Sequence, residues 1–344
     1  MNRVFKGLGM AYRIPFVDRV RELEILRDLS VRGLTKPLFI YGPEGCGKTR
    51  LLREFIRLFD GVGIYIDALE GRNVDLAVKF SGVLGFATSI VKELVGGYVG
   101  DVGRVLAERV STIRVELLTK LRLKGSRVVV VVDDVVRALG IDRVEWYVKW
   151  LYELLWKVSD RFNLSSMLIV VTTSEGSSLD VVMRHTVTHV KLLWNLDRAG
   201  FKDLALRLGP PSSDAVEEAW RVVGGNPRAL IEVAIDYGWD VGRWLRDLGS
   251  RLLSVVERVR HEGLVKELGM VIDDVDTIHL DPSGGMTKLR NILIEENLIL
   301  AKYVDTLTGE ELVPSKELGI GRYYAWQLPA YRTILKSLLK QEST

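Results

Sequence analysis

Gly42-Pro43-Glu44-Gly45-Cys46-Gly47-Lys48-Thr49 decides the fold of this chain. The apolar run Pro37-Leu38-Phe39-Ile40-Tyr41 precedes it, and the helix-patterned Arg50-Leu51-Leu52-Arg53-Glu54-Phe55-Ile56 follows it. A strand, a glycine-rich turn ending in Gly-Lys-Thr and a helix together make a phosphate-binding loop. Glycines let successive backbone N–H groups curl around phosphate oxygens, and the helix N-terminus adds partial positive charge. Lys48 is placed to reach the outer phosphates, Thr49 to hold Mg²⁺, and Arg50 to flank them at the helix start. Gly42 to Arg50 thus reads as a site for a nucleoside triphosphate, ATP in its Mg²⁺ form or the ADP product.

Five strand-like apolar runs alternate with helical stretches: Leu38 to Tyr41, Ile64 to Ala68, Arg127 to Val132, Met167 to Thr172 and Val187 to Leu193. That alternation predicts an α/β fold, a five-stranded parallel sheet flanked by helices. Helices are expected over Val74 to Leu94, Asp101 to Leu123 and Trp146 to Phe162. From Asp197 the strands stop, and Gly209-Pro210-Pro211 and Gly224-Gly225-Asn226-Pro227 punctuate a helical lid. Ser213 or Asp214 is the expected cap of a helix to Val223, and Pro227 suits the first turn of the next. The last segment reads helix, helix, strand, polar loop, strand, helix, the order of a winged helix. The expected organisation is residues 1–195 for the sheet domain, 196–249 for the lid and 250–344 for the winged helix.

The third strand ends in Asp133-Asp134, about 80 residues after the loop, which is how a metal-directed carboxylate is set beside bound phosphates. Asp133 is the expected Mg²⁺ partner, and Asp134 the group that orients or deprotonates water. The fourth strand ends Thr172-Thr173-Ser174-Glu175, making Ser174 a candidate phosphate sensor. Arg184, just before the fifth strand, is a candidate source of positive charge for the transition state, within the chain or across a subunit contact. Pro227 and Arg228 open a lid helix from which Arg228 would reach back to the nucleotide.

Composition bounds the rest. At 344 residues with 47% hydrophobic content, the chain is long enough for two or three packed units. The longest aliphatic run, Val128 to Val132, is far short of the roughly 20 apolar residues that span a bilayer. Together with the single cysteine, Cys46, this predicts a cytoplasmic protein with no membrane partner. Cys46 reads as a small residue of the loop, and exposure at a helix N-terminus would make it sensitive to alkylation. Glutamine occurs only at 327 and 341, a scarcity of thermolabile amides that fits a thermophilic source.

The net charge of +3 does not announce nucleic acid. Residues 250–344 hold 12 Lys and Arg against 14 Asp and Glu, a balance of −2, whereas the preceding 249 residues hold 36 against 31, a balance of +5. In the second winged-helix helix, Met286, Leu289, Ile292 and Leu293 share an apolar face. Thr287, Lys288, Arg290 and Asn291 are left outward as candidate DNA contacts. Glu295, Glu296 and the acidic balance count against DNA, so double-stranded DNA and a regulatory protein stand as equal expectations for this surface.

These motifs resemble the archaeal ATPase family, P-loop proteins close to the AAA+ and STAND classes. The resemblance rests on the loop, on Pro15-Phe16-Val17-Asp18-Arg19-Val20-Arg21-Glu22-Leu23 as the N-terminal box, and on Tyr65 to Glu70 as the second-strand segment. Thr173-Ser174-Glu175, Gly224-Gly225-Asn226-Pro227 and Arg184 complete it. Val20 stands where an acid is usual, Asp134 replaces the common glutamate, and Thr173 replaces a glycine. The resemblance implies an ATP-hydrolysing switch with a C-terminal winged helix, forming homo-oligomers when ATP bridges core and lid. It also implies that Phe16 and Val17 lie near the adenine base.

Overall fold

The computed structural model describes residues 14–68, 78–81, 125–136, 140–173 and 176–341. Among the described residues, six strands form one sheet: β1 (Leu38–Tyr41), β2 (Val62–Asp67), β3 (Val78–Ser81), β4 (Arg127–Asp133), β5 (Ser166–Thr173) and β6 (His189–Leu192). Their order across the sheet is β3-β2-β4-β5-β1-β6. The five expected strands are all present and parallel, each within two residues of its expected bounds. The sixth, β3, is a correction, because it pairs antiparallel with β2 inside the stretch expected to be helical. Val78-Lys79-Phe80-Ser81 alternates apolar and polar residues, a two-residue period easily lost within a longer apolar tract. The remainder of that expected helix, and the one over Asp101 to Leu123, fall outside the described residues.

The valine run of β4, in the middle of the sheet, is covered on both faces. Val128, Val130 and Val132 pack with Tyr147, Val148 and Leu151 of α3 (Ile141–Phe162). Val129 and Val131 point to the other side, against Leu26 of α1 (Val20–Arg32) and Leu51, Leu52 and Phe55 of α2 (Lys48–Leu58). A strand covered on both faces needs apolar residues at every position, and β-branched valine suits it. In α2 the buried residues Leu51, Leu52, Phe55 and Ile56 recur at helical spacing, fixing the helix against the sheet with its N-terminus at the phosphate loop.

After β5 come α4 (Ser177–Met183), β6 and then only helices: α5 (Arg198–Arg207), α6 (Ser213–Val223) and α7 (Pro227–Ile231), which continues as a π turn through Asp236. Ser212, rather than Ser213 or Asp214, caps α6 by accepting from the Ala215 N–H. Next are α8 (Val241–His261), α9 (Val265–Asp273), α10 (Thr277–Leu280) and α11 (Gly284–Glu295). The chain ends in an antiparallel pair, β7 (Ile299–Ala301) with β8 (Tyr324–Trp326), and α12 (Pro329–Gln341). The expected boundary between residues 249 and 250 falls inside α8. One interior glycine costs a helix only about 1 kcal/mol, and the buried Trp244, Leu252, Val255, Val256 and Val259 hold α8 together across it.

One apolar core runs from α5 through α12 and includes Val17, Tyr41, Leu179 and Leu192 of the sheet domain. The polar loop after β7 also docks on the sheet. Leu192 donates its N–H to Asp305 at 2.8 Å and accepts from the Leu307 N–H at 2.8 Å, so residues 305–307 cover the open edge of β6. Among the described residues, no helix is long and apolar enough to cross a membrane.

Candidate nucleotide site

The phosphate loop leaves β1 at the C-terminal end of the parallel strands, the side where α/β sheets hold ligands. Gly45 and Gly47 adopt φ of +80° and +102°, where a side chain would be strained. A Cβ on Gly45 would also lie 2.7 Å from Cβ of Arg228 and 2.8 Å from Oδ1 of Asn226. The loop is therefore a space kept clear of side chains beneath a helix N-terminus. The buried Lys48 ammonium lies inside it, donating to the carbonyls of Gly42 at 2.8 Å and Pro43 at 2.9 Å.

A pocket of about 720 Å³ opens from the loop. Glu44, Gly45, Cys46, Gly47, Lys48, Thr49 and Arg50 line it, with Phe16 and Val17 from the N-terminal box and Pro227 and Arg228 from α7. Asp134 stands in its wall as well. Gly42 and Pro43 act from behind, as acceptors for Lys48. The charged lining is six basic side chains to four acidic ones, and an apolar end contains Ile14, Pro15, Phe16, Val17, Leu196, Leu204 and Ile231. A polyphosphate suits the first region and a planar base the second.

One strand, β5, separates the loop strand β1 from the carboxylate strand β4. At its end Asp133 is 1% exposed, and it accepts hydrogen bonds from the hydroxyls of Tyr65 on one oxygen and Thr172 on the other. Burial, and then the Asp133 charge, push the Tyr65 phenol well above its ordinary range, so it stays a donor. Arg53 donates to the Tyr65 oxygen at 3.2 Å and pairs with Asp67 at 3.2 Å. A carboxylate has about four lone-pair sites. Two remain on Asp133 after these bonds, enough to accept from the water shell that Mg²⁺ usually keeps, although the carboxylate is buried and, unlike Asp134, does not itself line the pocket. Asp134, at φ +55°, donates its N–H to the Thr172 hydroxyl at 2.9 Å. Thr172 thus sets both acids.

The loop is also gripped from outside. Arg19, a buried arginine at φ +66°, donates to the carbonyls of Cys46 at 3.1 Å and Trp194 at 2.6 Å. Asn226 caps α7 by accepting from the Ala229 N–H and donates to the Glu44 carbonyl at 2.8 Å and to Asn195 at 3.0 Å. The Arg228 N–H donates to the Gly45 carbonyl at 3.3 Å, and its guanidinium pairs with Glu44 at 2.8 Å. From the C-terminal unit, the buried Gln327 accepts the Glu44 N–H at 2.9 Å, and its own carbonyl accepts from Asn195 at 3.1 Å. Glu44 is therefore held by α7 and by the residue following β8 at once.

Other expected residues are placed differently. Ser174 lies outside the described residues. Arg184 is exposed and does not line the pocket. It ends α4 beside a segment that runs under the sheet, where Thr186 accepts from Lys36 at 2.6 Å and His189 donates to Pro37 at 2.9 Å. That is the end of β1 opposite the phosphate loop, so a role for Arg184 within its own chain is not supported by this geometry. Cys46 is fully buried and points its thiol at the Leu193 carbonyl, 3.4 Å away, which corrects the expected exposure. On α11 the four apolar residues are buried as expected, but Lys288 is paired with Glu262, Arg290 is half-buried, and only Asn291 and Thr287 stand exposed without a charge. Tyr324 and Trp326 are core.

Tyr65, Thr172, Arg19, Asn195, Asn226 and Gln327 were not singled out from sequence as parts of this site. Asn226 carried a signal, an asparagine before Pro at a helix start, and Arg19 sat in the N-terminal box. Gln327 carried none beyond its rarity.

The model of a family described as an ATPase domain predominantly from Archaea matches residues 16–233. Among solved structures, the Walker-type ATPase of Pyrococcus abyssi is similar over 94% of this chain and 97% of its own, with a TM-score of 0.52 at 16% identity. Weaker likenesses, both at 16% identity, are to domain III of the Thermotoga maritima replication initiation protein DnaA and to Saccharomyces cerevisiae Hsp104 with ADP. The former has a TM-score of 0.35 and covers 64% of this chain and 83% of that one. The latter has a TM-score of 0.36 and covers 82% and 38%. No curated protein matches the sequence.

Proposed function

The chain belongs to the family of ATPase domains found predominantly in Archaea, and on that premise we propose that it binds Mg²⁺-ATP, hydrolyses it, and reports its nucleotide state through the C-terminal unit. The observation that carries this reading is the single pocket that joins Lys48, Thr49, Asp134 and Arg228 to the apolar end around Phe16 and Val17. In it, the loop N–H groups and Lys48 would bind the phosphates, and Thr49 with Asp133 would hold the magnesium. Bound magnesium would supply neutralisation of phosphate charge. Asp134 would accept a proton from, or orient, the attacking water, with Thr172 fixing its backbone. Arg228 would leave its exposed pairing with Glu44, worth only about 0–1 kcal/mol, to reach phosphate. Ser174 is kept as the proposed phosphate sensor. A catalytic Arg184 would have to act on a neighbouring subunit.

A second reading, a slow switch of the STAND kind, draws on a separate observation. Glu44 is held at one moment by Asn226 and by Gln327, so a shift of the loop on nucleotide exchange loosens or tightens the seat of residues 299–341. The shorter Asp134 in place of glutamate also favours slow turnover. We read the C-terminal unit as a winged helix whose partner is DNA or a regulatory protein. Light scattering with ADP and with a non-hydrolysable ATP analogue tests the switch. A change of mass or hydrodynamic radius between the two supports it, and identical values under both argue against it.

A further inference from the structure

A second cleft, of about 460 Å³, lies on the C-terminal unit between α12, the end of α9 and the loop at Lys316, and it shares no lining residue with the nucleotide pocket. Lys316, Arg332, Lys336 and Lys340 line it against one carboxylate, Asp273. The whole unit holds only 12 basic residues and is net acidic, so a third of its positive charge is gathered in one groove. Arg332, Lys336 and Lys340 are spaced four residues apart on α12, which sets them about 6 Å apart along the helix axis. Thr333 and Ser337 form a parallel column of hydroxyls beside them. Arg332 is steadied by donating to the carbonyls of Lys316 at 2.6 Å and Glu317 at 3.2 Å. The Lys336–Asp273 pair, 3.0 Å apart, is exposed on both sides and of the weak kind that a phosphate displaces.

We propose that this cleft binds the sugar–phosphate backbone of a nucleic acid. A row of cations with hydroxyls alongside is the donor set that phosphodiesters take, since Arg, Lys, Ser and Thr make most backbone contacts. A membrane surface would need large apolar residues among the cations, and none of the exposed large hydrophobic side chains lines the cleft. The helix α11 carries only Lys288, paired with Glu262, and the half-buried Arg290, with Glu295 and Glu296 at its C-terminal end, and is the poorer surface. This inference deepens the reading of DNA as a partner of the C-terminal unit, moving its surface from α11 to this cleft, and stands or falls separately from the ATPase reading.

The test is fluorescence anisotropy of a labelled 20-base-pair duplex and of the matching single strand, titrated with the intact protein across a range of KCl without nucleotide. Lys316→Ala/Lys336→Ala/Lys340→Ala is compared with Lys288→Ala/Arg290→Ala on α11; Arg332 is left in place because it braces the loop. The first variant should lose at least about tenfold in affinity at 0.1 M salt, and its slope of log K against log salt should shrink by up to about 2.7 for the duplex. The α11 variant should bind as wild type does. Preference for duplex or single strand names the source of the phosphates. No binding by wild type, equal binding by the triple variant, a loss confined to the α11 variant, or displacement by equal charge of polyglutamate would each overturn the proposal. Repeating the titration with Lys48→Ala separates it from the nucleotide site, because binding through the cleft should survive that change.

Discussion

Replacing Thr172 by Val keeps the shape of the side chain and deletes one hydroxyl that performs two tasks. That hydroxyl donates to the Asp133 carboxylate and accepts the Asp134 N–H at 2.9 Å. Thr172 is completely buried and Asp133 nearly so. Loss of a hydrogen bond to a buried charged group costs about 1.5–3 kcal/mol. The Asp134 N–H is less enclosed, so water recovers part of its loss and the lower end of the 1–3 kcal/mol range for an orphaned donor, about 1 kcal/mol, applies. The expected sum is about 3 kcal/mol of stability, read by equilibrium urea unfolding of wild type and variant with matched slopes. Thr172→Ser retains the hydroxyl and should recover most of the loss. On the proposed reading, the valine variant also needs more Mg²⁺ for half-maximal ATP hydrolysis, since Asp133 keeps only its Tyr65 partner. A loss below about 0.5 kcal/mol, within the scatter of surface substitutions, together with an unchanged Mg²⁺ requirement, would refute the claim that Thr172 sets the two acids.

Asn226→Ala removes the cap of α7 and leaves the Glu44 carbonyl without its side-chain partner, so a fall of about 2–3 kcal/mol in unfolding free energy is expected. Weaker binding of a fluorescent ATP analogue should accompany it, and tight binding at wild-type affinity would count against the grip on Glu44. Gly45→Ala meets both a positive φ and the Arg228 side chain; it should lower the thermal midpoint and nucleotide affinity together, which differential scanning fluorimetry with and without ATP would show. Cys46 should resist a maleimide in the folded protein and react in urea, as mass spectrometry would record; fast labelling of the native chain would contradict its burial. Gln327→Ala should shift the light-scattering response to ADP against the ATP analogue while leaving the phosphate loop able to bind, whereas Gln327→Asn, too short by one methylene, should not rescue it.

The sheet was legible because its signals are local. A valine run covered on both faces, a glycine loop and a following amphipathic helix each carry their own period, and the parallel strands fell within two residues of expectation. The edge strand β3 was not, since four residues of alternation cannot outweigh a longer apolar tract. The expected boundary between residues 249 and 250 falls inside α8, whose buried face runs straight through it. Within the site, the residues proposed to act on the nucleotide, its magnesium and water, namely Lys48, Thr49 and the two acids, were readable from residue type and spacing. The residues that hold those groups in place were not. Tyr65 reaches Asp133 across 68 positions and Gln327 reaches Glu44 across 283, and no local pattern encodes such a pairing. Arg184 shows the converse, a residue drawn from motif position that lies before β6, at the end of the parallel strands opposite the phosphate loop.

The central claim, that this pocket hydrolyses ATP with Mg²⁺, is tested most directly by phosphate release from ATP at elevated temperature. Wild type is compared with Lys48→Ala and Asp133→Asn, each with Mg²⁺ and with EDTA. The account predicts turnover by wild type with Mg²⁺, its loss in EDTA, and a fall of at least about a hundredfold in either variant, the scale on which removing a stabilising group costs a preorganised site. Equal phosphate release by wild type and Lys48→Ala would contradict it.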